Sequence, residues 1–478
     1  MNFVRDVVAR RSADDLAVVT LADDGARAEW TFGQLLDAAG TLAHIYETHH
    51  VRRGSVVMTM VGNTVEYVLA ILAGLWIGAP VLPCSEQLRA RDLALRLRRA
   101  APALVVCRAG HWSTMTEAGY DGPALVGAYE DWIGRPGPAP DFAELGELDP
   151  SFVLFTSGTT GEPKLVTHGQ RYVFGQQLQA REWVAAAQGE LVWSTAAPGW
   201  SKAARNTFIA PWLCEAAALL QDERFDPARR LETIRAEAVN VLCMAPTEYR
   251  LIAAAGPIGK LPSLRRAITA GEALGVPAFV AWRDQTGLAI ADGYGQTETG
   301  QLTGVRPGEA APLGSMGRPL SGIRVEIVDG ELVVDPSTVP TFFLGYDGES
   351  IPEGMWHTGD RVRQDEDGWL FFESRADDVI ISAGYRIGPA EVESILLGHA
   401  AVRECAVLGV PDEARGSVVA ASVVLRDGFV ASDELARELQ QFVRAETAPY
   451  KYPRRIRFVD ELPKTTSGKI HRARLREL

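Results

Sequence analysis

The chain has 478 residues, more than one ordinary hydrophobic core accommodates, so its length predicts two or more domains. Hydrophobic residues make up 47% of the chain and charged residues 23%, a balance that excludes a disordered protein. The net charge of -13 argues against a general nucleic-acid-binding or acidic-membrane surface, because either would need a basic face. A local basic pocket for phosphates is still compatible with this charge.

The N-terminal part of the chain does not have the pattern of a signal peptide. Its first fifteen residues carry charges throughout and contain no signal-peptide core. The most apolar stretch, from Tyr67 to Pro83, is too short to span a bilayer and is predicted as a buried helix leading into a strand. The five cysteines lie far apart without a CxxC pair, as expected in a reducing compartment. We therefore expect a cytoplasmic protein that does not insert into membranes, and a homo-oligomer is possible.

Up to about Leu320 the sequence alternates between strand and helix patterns, which predicts a layered α/β architecture. Buried strands are predicted at 104–107, 152–155 and 240–244, and a helix at 231–237.

After Gly322 the pattern changes to hairpins, with Asp329 and Gly330 as the turn of the first and 365–368 as the turn of the second. From Asp377 onward the chain is predicted to form a compact α+β unit. Pro389 is suited to begin one helix, and Ser432 to cap another. The fold class is thus α/β, with a large N-terminal region of layered sheets and helices (1–376) and a small mobile C-terminal domain (377–478).

The strongest local signal is the segment TSGTTGEPK, from Thr156 to Lys164, directly after an apolar strand. Glycines let a backbone turn tightly and bring amide N–H groups close to phosphate oxygens, and hydroxyl groups add donors. The spacing differs from that of the common phosphate loop GxxxxGK[ST]. On composition alone the segment is either a phosphate-binding loop or a flexible surface loop.

A second segment, DGYGQTET, begins at Asp292 and places Tyr294 between two glycines, followed by Thr297 and Glu298. A tyrosine in this setting can offer its flat face to a planar ring. The threonine and glutamate can hold a phosphate and a divalent cation. In isolation, a tight turn with a buried tyrosine is the simpler interpretation.

Two further segments contain candidate ligand-binding residues. The segment WHTGD ends at Asp360 and is followed by Arg375. A carboxylate is the group that usually binds the hydroxyls of a ribose. The alternative is that Asp360 only caps a turn. Near the end of the chain, LPKTTSGKI places Lys469 on a loop rich in Gly, Ser and Thr. Such a lysine can reach into a cleft as a mobile cation, and a solvated basic tail is the alternative.

Together and in this order, the four segments resemble the adenylate-forming superfamily of acyl-CoA synthetases, peptide-synthetase adenylation domains and luciferases. The resemblance extends from WTFGQL at Trp30 to Lys469. It is greatest with medium-chain acyl-CoA synthetases, through NFVRDVV at the N-terminus, PGWSK from Pro198, GYGQTETG from Gly293 and APYKYPR from Ala448. The resemblance implies a ligase that uses ATP, Mg²⁺ and coenzyme A to convert a carboxylic acid into acyl-AMP and then into acyl-CoA.

The resemblance also implies roles for individual residues. Thr297, Glu298 and Lys469 would be catalytic, with Glu298 also binding the metal, and Asp377 would be the hinge of the small domain. The residues implied to bind the nucleotide are Thr156, Ser157, Gly158, Thr159, Thr160, Gly161, Lys164, Gly271, Glu272, Ala273, Asp292, Tyr294, Thr297, Asp360 and Arg375. Those implied to bind coenzyme A are Gly384, Arg386 and Arg444.

Trp200, Lys202 and Gly295 are implied to line the acyl pocket. Acetate-selective relatives carry a tryptophan where this chain has Gly295, so the resemblance implies an acid larger than acetate, medium-chain or aromatic. Arg205 stands where medium-chain relatives more often have an aromatic residue. Its guanidinium could pair with a second polar group on the substrate, or it could point to solvent.

Two other functions remain open at this point. A stand-alone adenylation enzyme would perform the same first step but load an acyl or amino acid onto a carrier protein. A non-catalytic sensor would bind a nucleotide or an acyl-adenylate. A sensor with a decayed site would usually have lost a charged catalytic residue, because folding does not require such residues. This chain keeps the complete set of candidates: Lys164, Thr297, Glu298, Asp360, Arg375 and Lys469.

Overall fold

The computed structural model describes residues 1–22, 25–133, 137–156, 163–272, 274–351, 353–375, 378, 380–382, 385–412, 416–447, 451–464 and 470–477. At positions 381, 385, 386, 416, 473, 476 and 477 the description covers the backbone alone.

The helices are, in chain order, α1 (Phe3–Asp6), α2 (Phe32–Thr48), α3 (Val65–Ile77), α4 (Ala90–Ala100), α5 (Trp112–Glu117), α6 (Tyr129–Trp132), α7 (Gln170–Gln179), α8 (Lys202–Ala204), α9 (Ala210–Leu213), α10 (Pro227–Ala236), α11 (Pro246–Ala255), α12 (Val276–Thr286), α13 (Pro389–Leu397), α14 (Asp433–Glu446) and α15 (Arg472–Glu477). Two π-helical segments, Ala180–Val184 and Arg205–Ile209, follow α7 and α8.

The strands are β1 (Leu16–Leu21), β2 (Arg27–Thr31), β3 (Val57–Met60), β4 (Val81–Pro83), β5 (Leu104–Cys107), β6 (Ala124–Val126), β7 (Pro150–Phe155), β8 (Leu165–Gly169), β9 (Leu191–Ser194), β10 (Ala217–Gln221), β11 (Val241–Cys243), β12 (Arg266–Ala270), β13 (Ile290–Gln296), β14 (Gly300–Gly304), β15 (Arg318–Pro319), β16 (Val325–Val328), β17 (Glu331–Val334), β18 (Gly345–Tyr346), β19 (Glu349–Ser350), β20 (Trp356–Gln364), β21 (Leu370–Arg375), β22 (Ile380–Ser382), β23 (Tyr385–Ile387), β24 (Val402–Asp412), β25 (Gly416–Leu425) and β26 (Arg455–Phe458).

The first sheet has the order β15-β14-β13-β12-β11-β9-β10-β1-β2. Its strands from β10 to β13 pair in parallel, as expected where helices alternate with strands. Helices α11 and α12 cover one face through the buried rings of Tyr249 and Trp282, which pack with Trp193 of β9. The carboxyl ends of these parallel strands therefore meet along one edge, where ligands bind in open α/β sheets.

The second sheet has the order β19-β18-β8-β7-β4-β3-β5-β6. Strands β7 and β8 form an antiparallel pair on either side of the TSGTTGEPK segment. Helix α3 is buried along almost its whole length and ends at Gly78, whose φ of 74° stops the helix before β4. This confirms the predicted buried helix that leads into a strand.

The third sheet, β16-β17-β20-β21, contains the two predicted hairpins. Asp329 and Gly330 both have positive φ values, 51° and 81°, as a tight two-residue hairpin turn requires. This sheet carries Asp360 and Arg375 on adjacent strands.

The C-terminal part contains the small sheet β24-β25-β26, packed against α13 and α14. Pro389 is the first residue of α13, and the hydroxyl of Ser432 accepts a hydrogen bond of 3.1 Å from Leu435 N–H at the start of α14. Leu439 and Val443 are buried and belong to the apolar face of α14. Both helices were predicted, and the fold is α/β with a large layered N-terminal region and a small C-terminal unit.

Candidate active site

A cleft of about 2590 Å³ gathers candidate residues from distant parts of the chain. Its floor is formed by the ends of β12 and β13, and its sides by the third sheet and by residues of the C-terminal part. The predicted residues that line it are Thr156, Lys164, Trp200, Lys202, Gly271, Glu272, Asp292, Tyr294, Gly295, Thr297, Glu298, Asp360 and Arg375. Described residues of all four sequence segments thus lie at one site.

One end of the cleft combines a cation with a carboxylate. Thr156 N–H donates to the carbonyl oxygen of Lys164 at 3.0 Å, which closes the base of the TSGTTGEPK loop. The exposed ammonium of Lys164 lies 4.7 Å from the ring centroid of Tyr346. The hydroxyl of Tyr346 donates to Oε1 of Glu298 at 2.8 Å. The Lys164 ammonium and a fixed carboxylate are therefore both held next to the same tyrosine.

Asp360 is the centre of a second polar cluster and is only 4% exposed. Its Oδ1 accepts from Arg375 Nη1 at 2.9 Å, and its Oδ2 accepts from the Tyr294 hydroxyl and from Gln296 Nε2 at 2.8 Å. A carboxylate offers about four lone-pair sites, so these three donors leave capacity for one ligand hydroxyl. The cluster fixes Asp360 as an acceptor facing the cleft.

Tyr294 is held at both its ring and its hydroxyl. Burial raises the pKa of this phenol well above its ordinary value, and the neighbouring Asp360 adds to the effect. The phenol therefore stays protonated and acts as the donor to Asp360. This orientation locks the ring in one position at the cleft wall, as a stacking surface requires.

Glu272 and Asp292 lie on the floor of the cleft in different protonation states. Burial alone would raise the pKa of Glu272. Arg250 Nη2 lies 3.2 Å from one oxygen of this carboxylate, and the Thr247 hydroxyl donates to the other at 2.6 Å. These two groups outweigh burial and lower the pKa of Glu272. Burial raises the pKa of Asp292 to about 8, opposed by the Gly293 amide. The floor thus holds one ionised and one protonated carboxyl group near neutral pH.

The proposed acyl wall is formed by Trp200 and Lys202. The Lys202 ammonium lies 5.3 Å from the Trp200 ring centroid and donates to the carbonyl oxygen of Ala270 at 2.9 Å. This anchors the start of α8 to the end of β12. Arg205, one turn further along, lines the same cleft and does not point to solvent.

The prediction that Gly295 makes room for the acid by lacking a side chain needs correction. A Cβ on Gly295 would lie 1.9 Å from the carbonyl oxygen of Gly300 on the paired strand β14. Glycine is therefore required by the close approach of two backbones, and a side chain here would strike the hairpin before it reached the cleft. Only the backbone of Gly295 lines the site.

Several candidates fall outside the described residues: Ser157, Gly158, Thr159, Thr160, Gly161, Ala273, Asp377, Gly384 and Lys469. The side chain of Arg386 is also outside the description. Arg444 is described and is exposed on α14, 5.8 Å from the ring of Tyr452. It is not among the residues that line the cleft, so the structure does not bring it together with the other candidates.

Three residues of the site were missed by the sequence analysis. Tyr346 and Gln296 orient Glu298 and Asp360, as described above. His168, fully buried, has its Nε2 2.8 Å from the carbonyl oxygen of Thr297, and burial lowers its pKa to about 3. The histidine is therefore neutral and donates this bond, which supports the backbone at Thr297, a predicted catalytic residue.

Comparison with known proteins identifies the family. The family model for AMP-binding enzymes matches residues 5–341, and the family model for the C-terminal domain of AMP-binding enzymes matches residues 391–469. The chain belongs to the family of AMP-binding enzymes, which confirms the predicted resemblance.

Relatives extend over nearly the whole chain. It is 36% identical over 508 residues to an uncharacterized acyl–CoA ligase, YtcI, of Bacillus subtilis (strain 168), covering 100% of this chain and 96% of that protein. It is 34% identical over 491 residues to the mitochondrial acyl-coenzyme A synthetase ACSM4 of Homo sapiens, covering 95% and 85%. The structure of a benzoate CoA ligase from Burkholderia xenovorans LB400 matches with a TM-score of 0.89 at 27% identity, covering 100% of both chains.

The family and the site together define an ATP-dependent, AMP-forming acid–CoA ligase. ATP and coenzyme A are its substrates, and the family uses Mg²⁺. No helix in the described parts of the chain has both the length and the apolar character to cross a membrane.

Glu298 fits a magnesium ligand. Magnesium in nucleotide sites is usually held by one or two carboxylates together with phosphate oxygens. One oxygen of Glu298 accepts from Tyr346, and the carboxylate retains further lone pairs. Among the described residues no group of three or more His, Cys, Asp or Glu side chains forms a self-sufficient metal site. Phosphates of the nucleotide would therefore complete the ligand set.

Proposed function

We propose that this ligase activates a carboxylic acid larger than acetate, medium-chain or aromatic, at the cleft between Lys164 and the Asp360–Arg375 pair. The nucleotide part of the proposal rests on one observation: Lys164, the Glu298 carboxylate oriented by Tyr346, and the buried Asp360 carboxylate all line one cleft. The size of the acid rests on the likeness to a benzoate CoA ligase. Each group alone has a structural explanation. Their grouping matches the three charged or polar parts of a magnesium nucleotide.

In the first half-reaction a carboxylate oxygen of the acid attacks the α-phosphorus of ATP. A P–O bond to the acid forms as the bond to pyrophosphate breaks, which yields acyl-AMP. Both reactants are anionic, so fixed positive groups and N–H donors are needed where charge develops. We assign Lys164 and the TSGTTGEPK loop to the β- and γ-phosphates, Thr297 to the α-phosphate, and Lys469 to the transition state.

The remaining nucleotide contacts follow the same placement. We assign Asp360 and Arg375 to the ribose hydroxyls, and Tyr294 to one face of the adenine. The segment from Gly271 would lie along its edge. The described geometry supports these roles, since Asp360 retains one acceptor site towards the cleft and the Tyr294 ring is locked in place.

In the second half-reaction the thiol of coenzyme A attacks the acyl carbonyl, and AMP leaves. We propose that the C-terminal domain, beginning at Asp377, rotates between the two steps and removes Lys469 from the cleft. Gly384, Arg386 and Arg444 would then contribute to binding coenzyme A. The exposed position of Arg444, away from the cleft, is compatible with a role only after such a rotation. We place the enzyme in the cytoplasm.

A screen of carboxylic acids tests the proposal. Purified enzyme, ATP and Mg²⁺ are incubated with acids from two to twelve carbons and with benzoate derivatives, and pyrophosphate release is measured with and without coenzyme A. We expect release that depends on the acid, with a maximum above acetate, and acyl-CoA without any carrier protein. A maximum at acetate would contradict the proposed substrate size, and thioester formation only with an added carrier protein would contradict the acceptor.

A further inference from the structure

Arg205 is a buried arginine in the wall of the cleft, only 3% exposed. Neither its Nε nor its Nη1 has a hydrogen-bond partner among the residues that the structure describes. We propose that Arg205 binds a second acidic group on the substrate, so that the enzyme activates a dicarboxylic acid rather than a plain fatty or aromatic acid. The inference rests on the proposed function and narrows it to one substrate class.

The position of Arg205 places it deep in the acyl side of the site. It follows α8 and is the first residue of the π-helical segment Arg205–Ile209, a distortion that occurs frequently at functional sites. Its Nη1 lies 3.4 Å from where a Cβ on Gly300 would stand, on the strand that follows Glu298 and Thr299. The guanidinium is thus next to the backbone that follows the catalytic segment, and on the same wall as Lys202.

Within the described part of the chain, no anionic group neutralises this guanidinium. Among the described residues, no Asp or Glu forms an ion pair with Arg205, whereas Arg230, which is also buried, pairs with Glu248 at 3.0 Å. The titratable groups that face it are Tyr172, Cys243 and His168. Burial keeps all three uncharged, because it raises the pKa of the phenol and the thiol and lowers that of the imidazole.

A buried charge without a partner is unfavourable for folding, so its presence needs another explanation. The half-buried Arg266 shows a structural use of an arginine, since its Nε and Nη2 donate to the carbonyl oxygens of Trp183 and Val305 at 2.8 and 2.6 Å. Arg205 makes no such bonds through Nε and Nη1. Lys202, the neighbouring cation, is already engaged with Ala270. Nε and Nη1 of Arg205 therefore have no structural use among the described residues. Both atoms are enclosed by protein, so a ligand at the cleft wall would have to draw the guanidinium towards it to satisfy them.

The geometry of the Arg205 guanidinium determines which ligand it can bind. A guanidinium presents parallel N–H groups that match the two oxygens of a carboxylate. The reacting carboxylate of the substrate must lie at the α-phosphate, so the group at Arg205 is a second one at the other end of the acid. A methyl-terminated chain would instead leave the buried charge unpaired and displace any water that solvates it. The site should reject such a chain.

Matched pairs of acids test this inference: succinate against butyrate, adipate against hexanoate, and terephthalate against 4-methylbenzoate. The quantity measured is kcat/KM for pyrophosphate release, in the wild type and in Arg205→Leu. We expect the wild type to prefer the dicarboxylic member of at least one pair by about 100-fold or more, as for sites whose polar groups are otherwise left unpaired. Arg205→Leu should abolish or reverse this preference, and Arg205→Lys should retain part of it.

Thermal unfolding separates a binding role from a structural one. Without acid, Arg205→Leu should melt at the same or a higher temperature than the wild type, because an unpaired charge is removed. Arg266→Leu, the matched control, should melt at a lower temperature but keep the wild-type preference between acids. A lower melting temperature for Arg205→Leu with an unchanged preference would show a structural arginine and overturn the inference.

Other outcomes also decide the question. Preference of the wild type for the methyl-terminated acids, or for a hydroxyl-terminated acid such as 6-hydroxyhexanoate over adipate, would overturn it. If no acid supports pyrophosphate release, the proposed function fails, and the inference is then judged by binding alone. A dicarboxylate that raises the melting temperature of the wild type but not of Arg205→Leu would support the anion site, and no shift with any of the three dicarboxylates would overturn it.

Discussion

Asp360 and Arg375 face each other across β20 and β21 as directly paired residues, with Arg375 Nη1 2.9 Å from Asp360 Oδ1. The carboxylate is 6% exposed and the guanidinium 33% exposed. The register of the hairpin therefore sets this ion pair, and the pair fixes the oxygen that faces the cleft.

Arg375→Leu should destabilise the enzyme and weaken its use of ATP. Loss of one partner of a fully buried pair costs about 3–5 kcal/mol, and partial exposure of Arg375 reduces the expected loss to about 1–3 kcal/mol. Denaturant unfolding and the KM for ATP measure the two effects. Arg324→Leu, which breaks a pair with Asp335 just outside the β16–β17 hairpin, is the control and should change neither. Equal effects of the two variants would contradict a special role for Asp360.

Tyr346→Phe should lower kcat and raise the Mg²⁺ concentration needed for half-maximal activity. The substitution removes the hydroxyl that donates to Glu298 while preserving the ring beside Lys164. A hydrogen bond to a charged group contributes about 1.5–3 kcal/mol, so a loss of roughly 10-fold or more is expected. Tyr120→Phe removes a bond of 2.7 Å to the Pro123 carbonyl on the surface and serves as the control. An unchanged Mg²⁺ dependence would exclude the positioning role.

Asp292 should make stability depend on pH. Its pKa is raised to about 8 by burial, whereas in the unfolded chain it is about 4, so between these values the folded state holds a proton that the unfolded state has released. This contribution to the free energy of unfolding is full below about pH 4 and is lost progressively up to about pH 8. Asp292→Asn should therefore raise the melting temperature relative to the wild type most above pH 8, and little near pH 4.

Melting temperatures of the two proteins without nucleotide, from pH 4 to 9, provide the measurement. Asp284→Asn, at an exposed helical position, should show no such trend. A difference between Asp292→Asn and the wild type that stays constant with pH would contradict the raised pKa.

Gly295→Ala should destabilise the enzyme without altering its preference between acids. The added Cβ would lie 1.9 Å from the Gly300 oxygen, so the β13–β14 pair must shift, at a cost of about 1–3 kcal/mol typical of overpacking. Denaturant unfolding and the kcat/KM ratio for a short and a long acid are the measurements. Gly110→Ala, where a Cβ meets nothing within 4 Å, is the control. A folded variant with full stability but a new chain-length preference would restore the pocket-wall interpretation.

Sequence reasoning succeeded where structure is decided by neighbouring residues. The Asp329–Gly330 turn, the cap at Ser432 and the buried helix after Tyr67 all follow from local conformational preferences and hydrophobic periodicity. The described residues of the four motifs also line one cleft, because strand ends and hairpins bring separate segments to the same edge.

It failed where contacts depend on strand register. Tyr346 has no motif of its own, and it reaches Glu298 because β18 pairs with β8, with Tyr346 opposite Val166. Gly295 was interpreted from its resemblance alone. The bulge between Tyr294 and Gly295 and the close approach of β14 appear only when the two strands are paired.

Transfer of oxygen from the acid to AMP tests the central claim most directly. The best acid from the screen is labelled with ¹⁸O in its reacting carboxylate, and AMP is analysed by mass spectrometry after turnover with ATP and coenzyme A. Attack of the carboxylate on the α-phosphorus, followed by thiol attack on the acyl carbonyl, predicts one labelled oxygen in AMP and none in pyrophosphate. Formation of ADP with label in inorganic phosphate, or of AMP without label, would contradict an acid–CoA ligase that acts through acyl-AMP.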